Sequence, residues 1–295
     1  MDFFKIIDQL SEVDADVLGR FDSRRAVFSS LGTAAKRSAL AATPLFLGAL
    51  FQKAYAGTTA TPVEVLNYAL ALELFEQDFY KKVQNSTQYA GATAAEKAAI
   101  DQIKKHEDSH VTLLRGAITG SGGTPVTGVT FKAAVFATLT SFKTGAAAST
   151  QLGIAQLLED TGVRAYKGRA GELLGTDLLT VALQIHSVEA RHASKIRTMR
   201  GQRAWVNPAD DLAAHPVYTS GVTAGSNPSQ FGLVVPPYDT TKPSPVENNT
   251  TQSGVPITTG LGTTYTASDA AAAFDEYIQV AEVLDNSRAG GLIGA

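Results

Sequence analysis

Glu107-Asp108-Ser109-His110 and Glu189-Ala190-Arg191-His192 are the two stretches whose reading decides the fold. Residues three apart on a helix share a face, so each Glu-x-x-His pair offers a carboxylate and an imidazole side by side. Each pair is preceded by a lone glutamate inside its own apolar-periodic stretch, Glu73 before the first and Glu159 before the second. Two helices carrying Glu-x-x-His and two carrying a single Glu make up the inward ligand set of a dinuclear metal site in a four-helix bundle. Chance would supply the Glu-x-x-His pattern only about 0.2 times in a chain of this composition.

The surroundings repeat as well. Tyr80 follows Glu73 by seven positions and Tyr166 follows Glu159 by seven. Ile103 and Ile185 each stand four before the paired Glu, and Arg115 and Arg197 each stand five after the paired His. The sequence therefore reads as two related helix pairs, one with Glu73, Glu107 and His110, the other with Glu159, Glu189 and His192. An internal duplication closing around one centre is the simplest account.

Composition narrows the chemistry. With 295 residues and 44% apolar content the chain can bury a sizeable core, and it is long for one bundle, so added segments are expected. A net charge of −3 shows no basic excess and argues against nucleic acid as a partner. There is no cysteine, which excludes thiolate ligands and disulfides. Oxygen and imidazole donors remain, and these suit iron, manganese or zinc.

The chain divides into three expected parts: residues 1–57, 58–203 and 204–295. The first holds an amphipathic stretch, then Ser23-Arg24-Arg25-Ala26-Val27-Phe28, an Ala/Leu-rich run broken by Pro44, and Ala54-Tyr55-Ala56. These features resemble a twin-arginine export signal and imply a periplasmic or cell-envelope location. Asp14, Asp16 and Asp22 fit a signal poorly, so a retained helical arm in a cytoplasmic protein is the alternative. A mature chain starting at Ala56 or Gly57 would decide for export. Membrane contact is expected only through this segment, if uncleaved.

The second part predicts four helices. Thr61-Pro62 with Glu64 starts one that ends near Asn85, and Thr93 with Glu96 starts the next, which stops before Gly120-Ser121-Gly122-Gly123. The other two run from about Ala147 to Gly171 and from about Asp177 to Met199. Between the pairs, residues 129–142 read as a short helix. Gly162, inside the third bundle helix, suggests a close helix contact or a bend. In the third part, Val206 to about Thr266 is rich in Pro, Gly, Thr and Ser; whether it wraps the bundle, forms an interface or moves is open. Ser268 and Asp269 then cap a last helix expected to run to Gly290-Gly291.

Leu72-Glu73-Leu74-Phe75-Glu76-Gln77-Asp78-Phe79-Tyr80, Leu158-Glu159-Asp160-Thr161-Gly162-Val163-Arg164-Ala165-Tyr166 and Val188-Glu189-Ala190-Arg191-His192-Ala193 resemble the ferritin-like domain of bacterial envelope proteins related to plant desiccation-related proteins. The likeness covers about residues 60–200. It implies an all-α, ferritin-like four-helix bundle with a carboxylate-bridged pair of metal ions. By that likeness Glu73 and His110 hold one ion, Glu159 and His192 the other, and Glu107 and Glu189 bridge. Two iron ions are the expected cofactor, with manganese or zinc as alternatives.

Four carboxylates and two divalent cations would leave a nearly neutral cluster, whereas metal-free carboxylates crowded in an apolar core would favour protonation. With iron, the expected activity is oxidation of Fe(II) by dioxygen or peroxide. Tyr80 and Tyr166 are candidate hydrogen-bond donors to ligand carboxylates or electron donors to the cluster; the alternative is core tyrosines with satisfied hydroxyls. Asp78, Asp160 and Glu76 are candidate partners of the two ligand histidines; His106, one turn before His110, and His186, three before Glu189, either stand near the cluster or are ordinary capping or partly exposed histidines, the reading favoured because neither has a partner in the duplicate half. The competing function is a structural or stress-protective envelope protein whose metal is structural. Homo-oligomerisation is left open.

Overall fold

The computed structural model describes residues 60–223, 233–252, 254–260 and 265–294. The expected signal-like or helical arm at 1–57 lies outside the described residues. Four long helices form the bundle: α1 (Pro62–Gln84), α2 (Ala94–Gly120), α3 (Gln151–Arg169) and α4 (Leu178–Met199). Their starts are set locally. Thr61 and Glu64 form a reciprocal capping box at α1, Thr93 and Glu96 do the same at α2, and the Thr150 hydroxyl accepts the Gly153 N–H at α3.

Side-chain bonds fix the directions. Gln84 bonds Asp101 and Gln77 bonds Asp108, so α1 and α2 run antiparallel. Arg200 reaches Gln156 and Arg197 reaches Asp160, so α3 and α4 do too. The long connection between the pairs travels the length of α1: Thr124 accepts from Asn67, Phe131 N–H donates to Asp78, and at the far end Gln151 bonds Ser86. One full-length crossover thus joins two antiparallel pairs into a four-helix bundle.

Two expected helices are corrected. Residues 129–142 hold only the short strand β1 (Thr130–Phe131) and a single turn at Ala133–Phe136. Tertiary contacts override the helical pattern here. The Phe131 ring stacks on Phe75 at 5.3 Å and packs on Phe79 at 5.1 Å, and β1 pairs antiparallel with a C-terminal strand at Ile293–Gly294. The last helix likewise stops early, at Ala267–Ala273, and single turns at Val280–Val283 and Ala289–Leu292 follow an extended stretch.

Arg164 explains that extended stretch. Its buried guanidinium donates to the carbonyls of Val217, Pro245 (2.7 Å), Glu276 (3.1 Å) and Tyr277 (3.1 Å), and its own carbonyl accepts the Ile278 N–H (3.3 Å). Residues 276–278 thus give their backbone groups to α3 instead of to a helix. Gly168 permits the approach, since a Cβ there would stand 2.2 Å from the Ile278 carbonyl oxygen. The described part of the loop-rich segment therefore wraps the bundle. Among the described residues no helix is long and apolar enough to cross a membrane.

Replacing Arg164 by alanine removes a buried cation and strands its carbonyl partners, so a loss of roughly 3–5 kcal/mol is expected. Hydrogen exchange should then rise first in residues 244–283, ahead of α1 and α2.

Candidate metal centre

The inward stripes of the four helices place six polar side chains at one level of an apolar core. Glu73, Glu107, Glu159 and Glu189 are shut off from solvent, and His110 and His192 are buried beside them. His110 Nδ1 lies 3.0 Å from Glu73 Oε2, 3.3 Å from Glu107 Oε2 and 3.2 Å from Glu189 Oε1. His192 Nδ1 lies 2.9 Å from Glu107 Oε1, 3.2 Å from Glu159 Oε2 and 3.6 Å from Glu189 Oε2. Each half of the chain thus supplies three members of the cluster.

The oxygens are divided between two foci. Glu107 turns Oε2 to His110 and Oε1 to His192, while Glu189 turns Oε1 to His110 and Oε2 to His192. Two overlapping groups result, Glu73/Glu107/His110/Glu189 and Glu107/Glu159/Glu189/His192, each with ligand atoms within 4.8 Å of one another. Glu107 and Glu189 belong to both groups.

A pair of cations fits these donors. Glu107 Oε1, Glu159 Oε2, both Glu189 oxygens and His192 Nδ1 are buried without a hydrogen-bond partner. Such groups are costly to bury unless something compensates them. The protonation pattern carries the same strain. Burial and the neighbouring Glu189 charge raise the Glu107 carboxyl well above its usual range, and burial lifts Glu159 to about 7 against the pull of His192. Burial also pulls Glu189 upward, but His110 and His192 hold it down to about 2. Against its own desolvation, His110 is pushed up to about 12 by the surrounding carboxylates, and His192 rises for the same reason.

Both tyrosines reach the cluster, and they do so reciprocally. Tyr80 on α1 donates to Glu159 on α3, and Tyr166 on α3 donates to Glu73 on α1 at 2.5 Å. Burial and the carboxylates beside them raise both phenols well above their ordinary value, so they keep their protons and act as donors. Gly162 also faces the site: α3 continues through it, and a Cβ there would meet Glu189 Oε2 and Glu76 Oε1 at 3.5 Å.

The expected partners of the ligand histidines are corrected. Asp78 pairs with Lys82 and the Phe131 amide, and Asp160 pairs with Arg197 and Tyr218. Glu76 is instead a fifth buried carboxylate, its pKa raised well above normal by burial and then by Glu189, Glu159, Glu73 and Glu107. Of the two remaining histidines on α2 and α4, His106 is the one that comes to lie against the cluster. Its Nδ1 sits 2.9 Å from His192 Nε2 with the two ring planes 8° apart and their centroids 5.1 Å apart, the rings meeting edge to edge, and its Nε2 contacts Gln102 at 2.7 Å. The i, i+4 spacing of His106 to His110 carried part of this signal; the missing half was that α4 runs alongside. His186 belongs to neither group, and its Nδ1 is buried without a hydrogen-bond partner.

Residues 61–202 match the family model of a ferritin-like domain. No curated protein matches the chain at a significant level.

The sign of the pH dependence follows from these shifts. Glu159, near 7 when folded against 4.5 unfolded, contributes stability below about pH 4.5 that is lost as pH rises through 7. His110, raised to about 12, contributes stability that is complete below about pH 6.5 and lost above it. Glu189, lowered to about 2, acts oppositely and matters only in acid. Chelator-treated protein should therefore melt at progressively lower temperature from pH 5 to pH 8. Added divalent metal should raise the melting temperature, by an increment that grows over the same interval. Flat melting temperatures with and without metal would contradict a buried cation site.

Proposed function

We propose that the ferritin-like domain of residues 61–202 binds two iron ions and serves as an Fe(II)-oxidising centre with dioxygen or peroxide as electron acceptor. The observation that carries this reading is the division of the Glu107 and Glu189 oxygens between two histidine foci. One ion would be held by Glu73 and His110 and the other by Glu159 and His192, with Glu107 and Glu189 shared. Two bound Fe(II) supply two electrons, enough to take dioxygen to the level of peroxide or peroxide to water.

The protein's own part is geometry and exclusion of water. Tyr80 and Tyr166 each bond Oε1 of a terminal carboxylate and leave Oε2 of Glu159 and Glu73 turned to the histidines. Each hydrogen bond spans α1 and α3, so it also fixes the spacing of the two halves. The apolar residues around the cluster keep bulk solvent out, which strengthens every charge interaction within it. Glu76 is a fifth buried carboxyl beside the cluster, raised by burial and by the neighbouring carboxylates when no metal is bound. The twin-arginine stretch supports a location in the periplasm or cell envelope as part of the same reading.

Metal-free protein, loaded anaerobically with Fe(II) and then exposed to oxygen, should take up two ions per chain and develop ferric absorption rapidly. Glu107→Ala with Glu189→Ala should abolish uptake of the pair while circular dichroism stays helical. Tightly held zinc with no turnover of added iron would sink the oxidase reading and leave the ions a structural role. Two ions retained by the double variant would sink the bridging assignment.

A further inference from the structure

The two halves of the cluster match in their ligands and in their tyrosines, but not in what stands behind the histidines. Both imidazoles turn Nδ1 to the carboxylates. Behind His192, Nε2 lies 2.9 Å from Nδ1 of His106, with the rings 8° from parallel. Position 106 immediately precedes Glu107; the position that immediately precedes Glu189 in the other half is Val188, which has no hydrogen-bonding side chain. The duplication is therefore broken at one second-layer position.

That break has a chemical consequence. An imidazole that ligates through Nδ1 carries its hydrogen on Nε2, and an acceptor facing Nε2 fixes that tautomer and ring orientation. His106 is such an acceptor when its own hydrogen is on Nε2, which faces the Gln102 amide. The Gln102 carboxamide oxygen can take that hydrogen once the amide is oriented to suit. Gln102, His106 and His192 thus form one directed chain ending at Nδ1 of a single ligand. By symmetry of sequence, His110 receives no such support from position 188.

We propose that His106 is a positioning residue that makes the two metal positions unequal, so that the one beside His192 fills first and holds its ion more tightly. This rests on the dinuclear reading of the site. His106 touches no focus of the carboxylate cluster itself, and it is half-buried at the surface between α2 and α4, so its replacement leaves the core intact.

The test is Co(II) binding to the metal-free full chain, followed calorimetrically and by anomalous scattering from crystals given less than one equivalent. In the parent protein, the stronger anomalous peak should lie beside His192. His106→Ala should weaken binding of one Co(II) equivalent by about 10–100-fold, leave the other within a few-fold, and level or reverse the two peaks. His106→Gln, which keeps an acceptor for Nε2–H, should recover part of the lost affinity. Equal peaks in the parent protein overturn the proposal, as does an equal change or no change in both equivalents on His106→Ala. Those results leave the dinuclear site standing. A parent chain that takes up no Co(II) overturns the site and this inference together.

Discussion

Burying like charge is the constraint on which the molecule depends. Glu73, Glu76, Glu107, Glu159 and Glu189 share one level of an apolar core with only two imidazoles to offset them. Several of their oxygens have no hydrogen-bond partner. An arrangement of that kind is unfavourable as a metal-free packing solution, because each ionised carboxylate there lacks both water and a fixed counter-charge. On the proposed reading, two divalent ions would neutralise four of these carboxylates. Without metal, burial and the neighbouring carboxylates raise Glu76 well above its usual range, and the same carboxylates draw the two histidines toward their charged forms, so a bound metal would have to displace those protons.

Stability and site are tied together through α3. Nearly every residue of that helix is buried, although its outer face carries Gln156, Asp160 and Arg164. These polar residues are not solvated; they bind the C-terminal extension. Gln156 bonds the Tyr218 hydroxyl at 3.0 Å, Asp160 bonds Arg197 and Tyr218, and Arg164 collects four carbonyls from three segments of the extension. Glu159 and Asp160 are adjacent on the chain and face opposite ways, one into the cluster and one into this network. The extension thus clamps the helix that supplies Glu159, Tyr166 and the Gly162 surface.

The bundle and the cluster were legible in the sequence because both rest on local, periodic signals. Capping boxes at Thr61 and Thr93 start helices at those residues, and the i, i+3 spacing of Glu107 with His110 and Glu189 with His192 fixes a shared face. Seven-residue spacing from Glu73 to Tyr80 and from Glu159 to Tyr166 is two helical turns, which is why both phenols come to lie at the level of the opposite half's glutamate. What was not legible depends on partners distant in the chain. Phe131 is pulled into a strand by Ile293 and by the Phe75 and Phe79 rings. The helix expected to run to Gly290 is opened by bonds to Arg164, more than a hundred residues earlier. His106 gave half a signal, since its partner belongs to a helix whose neighbour only the fold identifies.

Departures from the repeat are as informative as the repeat. Arg197, the counterpart of Arg115, is buried between Asp160 and Asp210, and Asp210 belongs to the extension. The second helix pair therefore holds the C-terminal wrap, while the first is covered by the crossover along α1. With α1 and α3 both sheathed, the described residues leave the cluster best approached from the α2–α4 side, where Gln102 is exposed, His106 half-buried and the His110 side chain about a tenth exposed. On the proposed reading, reactants that reach the site past these histidines would be small and diffusible ones and ions. That restriction follows from where the added segments pack, and not from the six side chains that face inward.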